Sequence, residues 1–116
     1  MSTRAQVKIN GVYLYQHCDG YNLTDTVMRA INSNAGKSRQ DDPEYLTRII
    51  FCEMVKDDII GATGYGIGSQ QHCDIDFLVI VDCDTKTVNC FKTVTTLNSE
   101  SRIRISVYGF DGNKKE

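Results

Sequence analysis

Ala5-Gln6-Val7-Lys8-Ile9-Asn10-Gly11-Val12-Tyr13-Leu14-Tyr15-Gln16-His17 alternates in character on both sides of a turn. From Ser2 to Ile9, Arg4, Gln6 and Lys8 fall on one face, and Ala5, Val7 and Ile9 fall on the other. A period of two marks a half-buried strand. Asn10-Gly11 is the strongest short hairpin signal, because both residue types tolerate positive φ. Val12 to His17 is then the returning strand, with Tyr13, Tyr15 and His17 on one face and Val12, Leu14 and Gln16 on the other. The chain therefore begins with antiparallel pairing.

Downstream the period changes. Asp19-Gly20 breaks the strand, and Asn22 or Thr24 can cap a helix. Leu23, Val27, Met28 and Ile31 recur at helical spacing, and Ala35-Gly36 closes this helix. Lys37 to Asp41 is a polar linker. Asp42-Pro43 opens a second helix, since aspartate suits the cap and proline suits the first turn. Tyr45, Leu46, Ile49, Ile50 and Met54 form its apolar stripe to about Lys56. Residues 57–71 crowd Gly61, Gly64, Gly66 and Gly68 into a loop or irregular strand. Ile75 to Val81 is the best strand, with a turn at Asp82 to Lys86 and a partner strand at Thr87 to Val94. Thr95 to Ser101 is a polar connection, and Arg102 to Phe110 is the last strand. This order predicts an α+β fold in a single domain over residues 1–116. Its antiparallel β-sheet carries two helices packed on one face. The other face is left to water or to another subunit.

The 116 residues suffice for one core, and a single proline gives no reason to expect disorder. A net charge of −2 argues against general DNA or RNA binding, which needs a basic excess. No apolar run has the length of a membrane span, and no signal-peptide core is visible near Met1. Five cysteines, an odd number without close pairing, predict reduced thiols in a cytosol.

Several motifs fall short of a chemistry. Ala35-Gly36-Lys37-Ser38 resembles the end of a phosphate loop, but Ile31 stands where its first glycine belongs. Gly64-Tyr65-Gly66-Ile67-Gly68 has the wrong spacing for a dinucleotide fingerprint. His17-Cys18 and His72-Cys73 invite a zinc reading. Neighbours on a strand point to opposite faces, however, and no C-x-x-C accompanies them. Asp74 with Asp76, and Asp82 with Asp84, read as turn or surface acids. No nucleophile with an oriented base emerges.

The last strand is more informative. Arg102 and Arg104 leave the same face about 6–7 Å apart. Ile103, Ile105 and Val107 take the opposite, buried face. Two forked guanidiniums at that separation suit a pyrophosphate, and they equally suit a solvated surface. Arg29 flanks the apolar stripe of the first helix. Phe77 and Phe91 lie on strands expected to pair, where an aromatic ring beside cations suits a nucleobase or simply fills the core.

Ser2-Thr3-Arg4-Ala5-Gln6, Leu14-Tyr15-Gln16-His17 with Asp19-Gly20-Tyr21, Tyr45-Leu46-Thr47-Arg48-Ile49-Ile50, and Gly64-Tyr65-Gly66-Ile67-Gly68 together resemble the phage-encoded anti-Thoeris sponge proteins of the first described type. The resemblance extends over nearly the whole chain. It implies a viral immune-evasion protein of the host cytoplasm. Such a protein captures the cyclic ADP-ribose isomers made by bacterial TIR-domain immune enzymes and does not cleave them. It implies an α+β homodimer or higher homo-oligomer, with the ligand recessed at the dimer edge. No catalytic residue, metal or cofactor is expected, and neither DNA nor membrane is a partner. Some members also hold cyclic oligonucleotides at a separate site between subunits. The family's ligand arginines come from the first helix and the last strand, which match Arg29 and Arg104, with Arg102 as the alternative register. The stacking aromatic matches Phe77 first and Phe91 second, and Asn89 matches a base-recognition position. Two other classes stay open: a cyclic-nucleotide hydrolase built on His17 and His72, and a module that blocks a host protein through Tyr13, Tyr15 and Tyr21.

Overall fold

Asn10 and Gly11 take the left-handed backbone that a tight hairpin demands, with φ of 53° and 77°. They fold strand β1 (Ala5–Ile9) back onto β2 (Val12–Gln16), with Val7 opposite Leu14. The computed structural model describes residues 3–95, 97 and 99–115. Ser2, expected in the first strand, and Thr96 and Asn98, expected in the polar connection, lie outside the described residues.

After β2 come a short 3-10 turn at Gly20–Asn22, helix α1 (Leu23–Asn32), the single turn α2 (Asn34–Lys37) and α3 (Pro43–Val55). Strands β3 (Tyr65–Gly68), β4 (Phe77–Asp82), β5 (Thr87–Thr95) and β6 (Glu100–Gly109) complete a six-stranded sheet of order β3-β2-β1-β4-β5-β6. The fold is α+β, as expected, but the sheet is mixed. β4 runs parallel to β1, with Val79 beside Val7, while every other neighbour is antiparallel. The glycine-rich stretch, expected as a loop or irregular strand, supplies the reason. Tyr65–Gly68 pairs with β2, so β3 runs in the same direction as β1. The link to β4 must then travel back across the sheet. Gln6 secures it there: its amide nitrogen donates to Gln70 O at 3.2 Å, and its amide oxygen accepts from His72 N at 2.8 Å.

Two local corrections have local causes. α1 stops at Asn32 and not at Ala35-Gly36, because Ser33 turns extended (ψ 164°) and its hydroxyl accepts from Gly36 N at 3.0 Å. Asn22 precedes α1 without capping it, since its amide donates to Asp19 Oδ1 at 2.7 Å. The second helix starts as predicted. Asp42 Oδ1 accepts from Tyr45 N at 3.3 Å, and Pro43 occupies the first turn. Asp42→Ala is expected to cost about 1 kcal/mol, read as a lower urea midpoint with unchanged slope.

Ala5, Val7, Ile9, Leu14, Val79, Val81, Val88 and Cys90 form one buried cluster with Leu23, Val27, Ala30 and Ile31 of α1 and Leu46, Ile49, Ile50 and Met54 of α3. Phe110, expected at the end of the last strand, lies just beyond β6 and is buried in this cluster. Tyr45, assigned to the buried stripe, is 50% exposed, and Arg39 sits over its ring at 4.6 Å.

The last strand departs most from expectation. Cys90 pairs with Ser106, but Phe91 pairs with Arg104, so Ile105 is an extra residue forming a β-bulge. The bulge reverses the alternation. Val107, opposite Asn89, is buried on the same face as Arg104, while Ile103 and Ile105, expected to be buried, are 52% and 49% exposed.

Candidate functional site

Residues directly opposite on paired strands share a face. Arg104 lies opposite Phe91, Phe91 opposite Leu78, Arg102 opposite Thr93, and Val107 opposite Asn89, which lies opposite Ile80. These side chains therefore occupy the sheet face away from the main core cluster. Leu78 and Val107 are buried there outside that cluster. Phe91, Asn89 and Ile80 are half-buried. The result is an apolar floor edged by two guanidiniums.

Arg102 is the unusual member. Its Nε and Nη2 atoms are buried and meet no hydrogen-bond partner among the described residues. A guanidinium cannot shed its charge in a protein, and a buried donor left unsatisfied costs about 1–3 kcal/mol or more. A phosphate oxygen would satisfy those donors. Asn89, the expected base reader, donates weakly to Thr87 Oγ1 at 3.4 Å.

The structure brings Arg102, Arg104, Phe91 and Asn89 onto one sheet face and separates the other two expected residues from them. Phe77, the first choice for stacking, packs against the core cluster on the opposite face. Arg29 projects from α1, where its Nε lies 3.5 Å from Glu53 of α3 and Nη2 donates to Thr26. Arg29 thus belongs to the helical layer, and Arg102 and Arg104 belong to β6.

Lys56 also pairs with Glu53. The Lys56 ammonium, with the Arg29 guanidinium after it, holds the Glu53 carboxyl below the usual carboxylate range. A carboxyl depressed on folding stabilises the native state above its unfolded pKa, about 4.3, and loses that contribution as the pH falls through the folded value. Glu53→Gln is therefore expected to lower stability at pH 7 and to match the parent protein near pH 2. Denaturant titrations at the two pH values measure this.

A second cluster joins His17 and His72, the pair named for a hydrolase, at Tyr15, a meeting point that the sequence reading did not supply. Tyr15 OH lies 3.1 Å from His17 Nδ1, and the His72 ring lies 4.8 Å from the Tyr15 ring. Arg4 bonds Asp74 beside them at 3.2 Å. Both histidines thus meet one tyrosine, joined by the returning link that Gln6 holds. The repeated His-Cys pair hinted at this, but only the sheet crossing reveals it. Among the described residues, no three His, Cys, Asp or Glu side chains gather as a metal would need. The five cysteines are unbridged. Burial pushes the Cys90 and Cys83 thiols upward, away from the reactive thiolate.

Grooves open elsewhere. One of about 310 Å³ lies between the two hairpin turns, lined by Lys8, Asn10, Pro43 and Asp82. Another, of about 260 Å³, runs along α3 beside Arg48 and Cys52. Neither includes the arginines of β6. No helix is long and apolar enough to cross a membrane among the described residues. No protein-family model, curated protein or solved structure matches the chain.

Proposed function

We propose that this protein sequesters a cyclic ADP-ribose-type signalling nucleotide and releases it unaltered. The observation that carries the reading is the buried, unpartnered edge of Arg102, two residues from Arg104 on a face that also presents Phe91. Each guanidinium can fork onto phosphate oxygens, and the spacing of about 6–7 Å suits a diphosphate. Phe91 offers an aromatic face to the base, with Asn89 on the same strand and face. The family resemblance supplies the cyclic ADP-ribose class, the viral origin and the host cytoplasm as setting. In this reading the helices cover one sheet face, and a second copy walls the other, bringing its Arg29 to the ligand. Cyclic oligonucleotides belong to a separate site between copies.

The tyrosine face offers less support to a host-protein blocker. Tyr15 is engaged with both histidines, and Lys8 sits 5.9 Å from the Tyr13 ring. The hydrolase reading keeps one specific observation, the meeting of His17 and His72 at Tyr15. A single experiment separates the classes. The protein is incubated with excess cyclic ADP-ribose isomer, free ligand is removed, and the protein is heat-denatured. Sequestration returns intact cyclic nucleotide in proportion to protein. Linear ADP-ribose accumulating with time would replace the proposal with a hydrolase, and no captured nucleotide at all would remove it.

A further inference from the structure

The two edges of the sheet are built differently. β6 carries Glu100, Arg102 and Arg104 and is bent by the bulge at Ile105. Charges and bulges are the usual means of keeping an edge from pairing with another chain. β3 has neither. Gly64-Tyr65-Gly66-Ile67-Gly68-Ser69 contains no charge and no proline, its pairing with β2 is regular, and Ile67 is 63% exposed.

The free edge also has a definite hydrogen-bonding phase. His17 N donates to Gly64 O at 2.9 Å, so Gly64 points its backbone groups toward β2. Successive residues of a strand alternate in this direction. Gly66 and Gly68 therefore also point inward, and Tyr65 and Ile67 present their N–H and C=O groups to the open edge. The two inner glycines are not demanded by the fold. Neither has a positive φ, and a Cβ on either would meet nothing within 4 Å. Glycine inside a strand costs stability, and it marks places where another backbone approaches closely.

We propose that β3 pairs antiparallel with β3 of a second copy, about a two-fold axis at Ile67, to make one continuous sheet. That register is self-complementary. Ile67 faces Ile67 of the second copy as a hydrogen-bonded pair, with its exposed side chain covered by its twin. Tyr65 faces Ser69, and Gly66 faces Gly68, which leaves no charged pair in the seam. A two-fold about Ile103 on β6 would instead set Arg102 against Arg104. The inference rests on the sheet edge alone and is independent of the nucleotide reading.

Sedimentation of the full chain without ligand, across a range of concentrations, tests it. The parent protein is expected to associate, and Ile67→Lys, which sets a charge against its own twin, is expected to halve the mass of the assembly. Ile103→Lys on the other edge is expected to leave that mass unchanged. Hydrogen exchange on the parent protein gives a second reading that needs no variant, with the Tyr65 and Ile67 amides slowing as concentration rises. A monomeric parent, an unchanged mass for Ile67→Lys, loss of association in Ile103→Lys, or fast exchange at Ile67 at every concentration would each overturn the proposal.

Discussion

Arg102→Ala is expected to weaken binding of a cyclic ADP-ribose isomer by about 10- to 100-fold, the equivalent of roughly 1.5–3 kcal/mol for hydrogen bonds to a charged group. Its melting temperature should hold steady or rise. The two expectations belong together. Arg102 keeps Nε and Nη2 buried without a partner among the described residues, so removing the guanidinium relieves an unsatisfied group in the free protein. A residue kept for the fold behaves in the opposite way and loses stability when truncated. Arg102→Lys sharpens the test. Lysine keeps the charge but is a flexible point donor without a planar fork, so most of the affinity should still be lost. Calorimetry for binding and thermal unfolding for stability measure both halves. Unchanged affinity in Arg102→Ala would shift the diphosphate contact to Arg104. Unchanged affinity in both single variants would remove β6 from the site.

What the sequence disclosed follows the range of the interactions involved. The β1–β2 turn was legible because Asn10 and Gly11 set the positive φ on their own. The start of α3 was legible because Asp42 and Pro43 act within one turn. The turn from β4 to β5 is of the same kind, with Asp82 Oδ1 accepting from the Asp84 and Thr85 amides. The parallel pairing of β1 with β4 joins residues such as Val7 and Val79, and nothing near either announces it. Its cause, the seating of Tyr65–Gly68 on β2, lies in a four-residue strand too short and too glycine-rich to show a period.

The candidate site divides along the same line. A shared face for Arg102 and Arg104 follows from strand alternation and could be read directly. The place of Val107 could not, because the bulge at Ile105 involves no glycine and no proline to betray it. Phe77 was the first choice for stacking and Phe91 the second, although both belong to paired strands. Strand register separates them, sending Phe77 to the core and Phe91 to the face with Arg104. The burial of Arg102 Nε and Nη2 is a property of the assembled sheet, not of the alternation along β6.

Gly36→Ala is expected to destabilise the fold by about 2–4 kcal/mol, a fall of roughly 10 °C or more in Tm for a domain of this size. Sequence alone offers Gly36 two roles, the end of a phosphate loop or a helix cap, and the structure assigns it a third. Its φ is not in the left-handed region, so backbone freedom is not the reason for glycine. Space is. A Cβ at this position would stand 2.0 Å from Ala30 O, 2.6 Å from Ile31 O and 2.8 Å from Ile31 C. All three are backbone atoms at the end of α1, and none can rotate away as a side chain can. Relief requires lifting α2 off α1, next to Ala30 and Ile31, which are 1% and 0% exposed. It would also strain the bond from Gly36 N to Ser33 Oγ that starts α2. Lys37→Ala, one residue on and exposed, should change stability by less than about 0.5 kcal/mol. Thermal and urea unfolding of the two variants side by side decide the point. If Gly36→Ala melts with the parent protein, α2 is not seated against the end of α1, and the close approach of these two helical segments is wrong.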